Sequence, residues 1–350
     1  MALDALRGLA KAYEVRALDD APFTPLTLPQ LIEEEDEEDL DIRFKELSYE
    51  LPSASWRPLP SAGQPAAPPL RFIDGTVVSR TVAVFTVKKR RRPALLACVG
   101  ALELDMEAGQ LMRRTPPHVE TVLCLLSNDM PEEHLGQLAN GLRPLRIELI
   151  TSVTEELSPD LELLRRRTFD IASHRMEEAE RSILLARPDV AALVDGLLER
   201  RLVTIQSQSM PALGMVKRQV RQYLPNAFVN FLYDLAPGER SPAFLLQTKH
   251  ATIVSWYLRI SAEERSAPSY GLVRLAMSQQ YLEAAFADPA SRSREISALS
   301  SWALGLRHRE AHYARAGISL EPIVRVEDEL RALLPRVSQQ VASFHRALGL

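Results

Sequence analysis

Cysteine is almost absent from this chain. There are two in 350 residues, Cys98 and Cys124, each inside an apolar run (ALLACVGALEL and VETVLCLLS) with no CxxC or Cys/His spacing around it. A disulfide framework or a zinc site has nothing to form from, and both thiols are expected to be buried and reduced. Long apolar stretches are missing too, since none reaches the roughly 18 residues that a membrane-spanning helix needs. The N-terminus, MALDALRGLAKAYEVRAL, places Leu3, Leu6 and Leu9 at amphipathic spacing. It has no basic start, compact apolar core or small-residue cleavage site, so the expectation is a cytoplasmic protein without a membrane partner. No P-loop, GxGxxG, GxSxG or HExxH occurs, which removes support for nucleotide hydrolysis, hydride transfer, serine hydrolysis and a zincin.

Positive charge is not in excess either. The net charge is −4, so the chain carries no global nucleic-acid footprint. The run from Glu33 to Asp39, with Asp41, supplies eight negative charges and leaves the remainder mildly basic. Lysines number six against thirty-six arginines, an imbalance that composition alone can produce.

Residues 1–66 read as an N-terminal extension. They hold a short amphipathic helix, a proline-punctuated stretch (APFTPLTLPQ), the acidic block and a Pro/Ser/Ala linker through PSASWRPLPSAGQPAAPP. The extension is either a solvated tail or a segment whose leucine stripe docks into a groove. From residue 67 to 350 the pattern is that of a folded domain. LRFIDGTVVSRTVAVFTV alternates as a strand, followed by a basic turn (Lys88, Lys89, Arg90, Arg91, Arg92) and a second strand, PALLACVGALELDME. VETVLCLLS is a strand or short helix, and PLRIELITSV is strand-like. A helix is expected over about 159–185, a short strand at DVAALVDG, and a helix running out of PALGMVKRQV. HATIVSWYLRI and YGLVRLAMS follow as strands, and the end of the chain from about residue 291 is mostly helical. No internal repeat is present. Strands in hairpin series, then helix–strand alternation, indicate an α/β fold with a mixed sheet.

Two Asp-Gly pairs, each fed by an apolar run, carry the chemistry: Asp74 in LRFIDGTVV and Asp195 in VAALVDGLL. Asp-Gly is also the commonest short hairpin turn. A turn at Asp74, however, would leave a hairpin too short for the strand pattern that continues to Val87. Asp195 ends an apolar run, where open α/β sheets present ligand groups; a turn or cap is its alternative role. The helical segment MEEAE offers Glu177, Glu178 and Glu180 as a third carboxylate, with Glu177 favoured and Glu178 next, although glutamates on an amphipathic helix ordinarily form its wet face. Lys217 in GMVKR would neutralise charge on a phosphoryl transition state or hold an attacking water; otherwise it is a surface lysine. Glu103, Asp105 and Glu107 alternate on one strand face, the pattern of a solvated edge. The basic turn Lys88–Arg92, with Arg113, Arg114, Arg259 and Arg274, is a candidate for phosphate contact. Tyr223, Trp256 and Tyr257 are candidates for base stacking or for the core.

In order and spacing these pieces resemble the NurA nuclease family: FIDGT, a Glu-bearing helix, LVDGLL, GMVKR, SWYLRI and GLVRLAM. The resemblance spans roughly residues 66–350. It implies an RNase H-like mixed sheet flanked by helices in a nuclease domain at 67–350, and a homodimer. It also implies a Mn2+- or Mg2+-dependent DNA nuclease, a 5′–3′ exonuclease with endonuclease activity. Such a nuclease acts with a HerA-type hexameric translocase in end resection and double-strand-break repair. By the same resemblance Asp74, Glu177 and Asp195 would bind metal, with Lys217 joining them in catalysis. Two ions would activate the attacking water and stabilise the leaving 3′ oxygen, and hard cations suit carboxylates. The chain departs from the family in having Thr76 after the Asp-Gly pair, Ala276 where an acid is expected, and HYAR near His308 and His312. A non-cleaving DNA-binding scaffold for the translocase is the alternative, and an actin-like phosphotransferase a more distant one.

Overall fold

The alternating run through Asp74 forms one unbroken strand, and the fold is assembled around it. The computed structural model describes residues 2–18, 43–155, 158–217, 223–261, 269–309 and 318–350. From the N-terminus these are α1 (Ala2–Ala12), β1 (Arg16–Ala17), β2 (Arg43–Glu46), β3 (Leu59–Pro60), β4 (Arg71–Val87), β5 (Arg90–Glu107), β6 (Gln110–Met112), β7 (His118–Leu126), α2 (Glu132–Leu142) and β8 (Glu148–Ser152). Next come α3 (Leu161–Ala186), β9 (Ala192–Asp195), α4 (Ile205–Gln208), β10 (Ala212–Val216), α5 (Val229–Tyr233), β11 (Glu239–Arg240), β12 (Phe244–Gln247), β13 (Thr252–Arg259) and β14 (Leu272–Ser278). Four helices close the chain: α6 (Gln279–Ala285), α7 (Pro289–Gly305), α8 (Glu321–Leu333) and α9 (Val337–Leu348).

β4 and β5 pair antiparallel along nearly their whole length, with one register shift between Thr81 and Ala83. Lys88 and Lys89 join them, both left-handed at φ 47° and 68°, the geometry of a two-residue hairpin turn. β5 is buried continuously from Arg92 to Asp105, which is why its sequence reads as an apolar run instead of an alternation. VETVLCLLS is a strand, β7, antiparallel to β5. The main path of the sheet runs β2-β12-β13-β14-β10-β9-β4-β5-β7-β8. β9 lies parallel to both β4 and β10. The central five, β7-β5-β4-β9-β10, are the third, second, first, fourth and fifth strands of that core, and only the second runs against the others. The fold is therefore α/β, an RNase H-like mixed sheet flanked by helices. PALGMVKRQV enters this sheet as β10, and its end at 218–220 lies outside the described residues.

α3 packs on one face of the sheet through Phe169, Ala172 and Met176, against Val77, Leu95 and Val99. On the opposite face Trp302 of α7 stacks on Phe72, while Ile323, Val326 and Leu330 of α8 join the core of Leu193, Leu213 and Met215.

The expected division at residue 66 does not separate a tail from this body. Leu6 and Leu9 of α1 are buried with Leu138 of α2 and Phe344 of α9. Trp56 packs against Phe228, Phe231 and Phe244, and buried Glu50 pairs with Arg240 at 2.6 Å. An apolar helix stripe gains by leaving water wherever a matching surface exists. The acidic block 33–39 lies outside the described residues. Among those described, no helix is long and apolar enough to cross a membrane.

Candidate metal centre

Alternation along β4 sends Phe72 and Asp74 to the α8 face and Ile73, Gly75 and Val77 to the α3 face. In parallel register Ile73 lies opposite Val194, and Met215 lies opposite Asp195. Asp74 on β4, Asp195 at the end of β9 and Lys217 just after β10 thus fall at neighbouring positions of three adjacent strands, all on the α8 face. Asp195 ends β9, where Gly196 turns the chain away at φ 91°. α8 supplies the fourth group, Glu327. One carboxylate oxygen each from Asp74, Asp195 and Glu327 lies within 4.8 Å of the others. Lys217 is buried among them, its Nζ 2.8 Å from Asp195 and 3.0 Å from Glu327.

The electrostatics follow from three acids sharing one lysine. Burial first, and then the Asp195 charge, hold the Asp74 carboxyl well above the ordinary aspartate range, with Lys217 only partly opposing them. Burial works against the Lys217 ammonium, yet Asp195, Glu327 and Asp74 outweigh it and push its pKa up. Lys217 is therefore a fixed positive charge at any physiological pH. Asp74 also accepts the Gly75 N–H at 2.9 Å, which helps to orient it.

The helix glutamates stand elsewhere. Glu177, expected to bind metal, is buried and bonded to Arg200 at 2.5 Å, and Glu178 is exposed beside Arg175. Glu180 pairs with Arg201 and is pushed up to about 7, chiefly by burial. These acids belong to α3, across the sheet from the Asp74 side chain. Glu180 comes nearest, because Gly75 has no side chain: a Cβ there would lie 2.8 Å from its Oε1 and 2.6 Å from Met176 Cγ. The third carboxylate of the cluster is thus Glu327, not Glu177. It carried one sequence signal: in EPIVRVEDEL it follows Ile323 by four and precedes Leu330 by three, an acid within the buried stripe of its helix.

Several expected phosphate contacts are internal. Arg259 donates to the carbonyls of Leu235, Leu232 and Tyr233. Arg274 pairs with Glu199 at 2.8 Å and lies over the Tyr223 ring. Arg92 is buried and donates to the Leu126 carbonyl. None of these three guanidinium groups reaches the surface, because each closes backbone or acid groups that burial would otherwise orphan. Lys88, Lys89, Arg90 and Arg91 are exposed, but the turn lies fourteen residues along β4 from Asp74, on the order of 45 Å away. Arg114 pairs with Glu107, and Arg113 lies 3.9 Å from Glu329. Trp256 and Tyr257 are core residues, Trp256 donating to Ser300, and Tyr223 is largely buried. Glu103 and Asp105 are not a solvated edge; both are buried around Arg187, at 2.8 and 2.6 Å. His308 is buried against Glu321, and His312 lies outside the described residues. Cys98 and Cys124 are buried free thiols.

No protein-family model matches the chain, and a comparison with curated proteins finds no match.

Proposed function

We propose that this chain is a metal-dependent DNA phosphodiesterase of the NurA kind. On this reading it is a 5′–3′ exonuclease with endonuclease activity, which acts as a homodimer with a HerA-type translocase in DNA end resection and repair in the cytoplasm. The observation that carries the reading is the meeting of Asp74, Asp195 and Glu327, far apart in sequence, within 4.8 Å of one another. The donor set fits a divalent cation in two respects. All three ligands are oxygens, which suits Mn2+ or Mg2+ over softer metals. One lysine also faces three acids, and the burial and then the Asp195 repulsion that raise Asp74 are what a bound dication would offset.

Such a cation would polarise the scissile phosphate and acidify the attacking water. The chain's own groups act around it. Asp74 and Asp195 are fixed to adjacent strands, so their separation is set by the sheet and not by side-chain search. Glu327 closes the cluster from α8. Lys217 is held by two of the acids and places a permanent positive charge beside the position where phosphoryl charge would grow.

The assay is degradation of labelled duplex and single-stranded DNA with Mn2+ or Mg2+, with an EDTA control, comparing wild type with Asp74→Asn. Metal-dependent degradation lost in the variant is expected. Equal rates in both proteins would end the proposal. One observation favours the non-cleaving scaffold instead: Lys217 already bonds two of the three carboxylates. In that case DNA is bound and never cut, with or without metal.

A further inference from the structure

β9 carries Asp195 on a strand of only 4 residues, Ala192–Asp195. It pairs with β4 at three positions: Ala192 lies opposite Arg71, Leu193 opposite Phe72 and Val194 opposite Ile73. A slip of one residue in this register would turn Asp195 to the α3 face, away from Asp74. The strand's own side chains mark that register weakly. Leu193 is buried with Phe72 on the α8 face, while Ala192 and Val194 are buried with Ile73 on the other. Both faces are apolar, and Val190 and Ala191 come just before, so a shifted strand would present the same residue types. Arg71, on β4 just ahead of Asp74, supplies what the pattern lacks. Its side chain is fully buried and donates to four carbonyls. These are Arg187 at 2.6 Å, Ile183 at 2.8 Å, Val190 at 3.3 Å and Leu184 at 3.5 Å. Ile183 and Leu184 are in the last turn of α3, where carbonyls have no partner within the helix. Arg187 and Val190 belong to the connection from α3 to β9. Backbone bonds continue the clamp, since the N–H groups of Leu70 and Arg71 both reach the Ala191 carbonyl. Arg71 Nε also donates to Glu103 on β5 at 2.6 Å, and Arg187 returns to the same acid at 2.8 Å.

We infer that Arg71 is a positioning residue of the metal centre: it locks the register of β9 against β4 and so brings Asp195 to Asp74. The inference rests on the carboxylate cluster as a divalent-metal site and does not depend on DNA as the substrate. Arginine suits the task because one planar group carries its N–H donors in a fixed fork, enough for several carbonyls and an acid together. Lysine would keep the positive charge that faces the α3 terminus. Its ammonium, with three donors on a flexible stem, cannot span the same set. A loosened clamp leaves the body of the sheet in place, because β4 still pairs with β5 along nearly its whole length. What it leaves unset is the separation of the two aspartates. Metal affinity is then lost before the fold is.

The test is a Mn2+ titration of the full chain, read from the electron paramagnetic resonance of the free ion, beside thermal melts of the same proteins. Arg71→Lys and Arg71→Gln should melt cooperatively at a lower temperature and bind Mn2+ about tenfold or more weakly. Two controls separate positioning from stability. Leu6→Ala, on α1, should lower the transition at least as far and leave Mn2+ affinity unchanged. Glu103→Gln removes the acid but not the four carbonyl bonds, so it should melt earlier and keep the affinity. Amide exchange should quicken over 187–195 in the Arg71 variants and stay at the wild-type rate there in Leu6→Ala. If the Arg71 variants bind Mn2+ as wild type does, or if Leu6→Ala loses affinity with its stability, Arg71 is a packing residue and the inference fails. Loss of affinity in Glu103→Gln would assign the effect to the ion pair and overturn the carbonyl clamp. Arg71 variants that do not fold even in the cold also overturn it, since Arg71 is then a requirement of the fold. A wild-type chain that binds Mn2+ and cuts no DNA sinks the nuclease reading and leaves this inference standing; one that binds no Mn2+ sinks both.

Discussion

Burial and the Asp195 carboxylate both oppose ionisation of Asp74, and Lys217 offsets them only in part. The sign of the resulting pH dependence is definite. A carboxyl whose folded pKa exceeds its unfolded one is neutral in both states at low pH. It then loses folding stability as pH rises between the two values, and the loss is constant above them. Metal-free Asp74→Asn should therefore melt close to wild type at about pH 4, near the ordinary aspartate value, and a few degrees above it at neutral pH. Parallel melting curves across that range would show the carboxyl to be unstrained. Mn2+ should reverse the order, raising the wild-type transition and leaving the variant unmoved. The same titration separates the glutamates. Glu327→Gln should abolish the Mn2+ shift and cut degradation by about a hundredfold or more. Glu177→Gln should keep the metal shift while lowering stability, since it removes the buried carboxylate that Arg200 pairs with. Asp74 and Asp195 could be found in the sequence because an acid at the end of an apolar run breaks a local pattern. Glu327 was hidden because its break is a single residue in a helix otherwise rich in acids.

Gly75 sets the distance between α3 and β4. A methyl group there would fall 2.6 Å from Met176 Cγ and 2.8 Å from Glu180 Oε1. Gly75→Ala should cost about 1–3 kcal/mol in urea denaturation. Pairing it with Met176→Ala should cost less than the two changes separately, because the cavity admits the methyl. Additive losses would mean the helix is not in contact. α1 makes a second test. Leu6 is fully buried and presses on Gly141, so Leu6→Ala should cost about 2–5 kcal/mol; a loss below about 0.5 kcal/mol would be a surface value and would make α1 a tail after all. The long strands were readable because period-two alternation in β4 and the apolar run of β5 reflect burial on one face or two. The fate of α1 was not readable, since a leucine stripe states that a helix will dock and not where.

Over the full chain, α8 joins core and chemistry: it buries Ile323, Val326 and Leu330 and carries Glu327. Ending the chain at Gly305 should abolish both cooperative unfolding and the Mn2+ response, whereas Glu327→Gln should lose only the second. Calorimetry of the two proteins would distinguish them, and a truncated chain that still melted cooperatively would show α8 to be dispensable. The α/β class, the principal strands, two reduced cysteines and two of the three clustered acids were all present in residue order. They depend on periodicity and on which types tolerate burial, and both are local. Local pattern carries no record of which strand lies beside which. The meeting of residues 74, 195 and 327, the distance of the basic turn from them, and the internal arginines all depend on sheet order and helix docking. Those arise from contacts between segments hundreds of residues apart, and only folding brings such segments into one place.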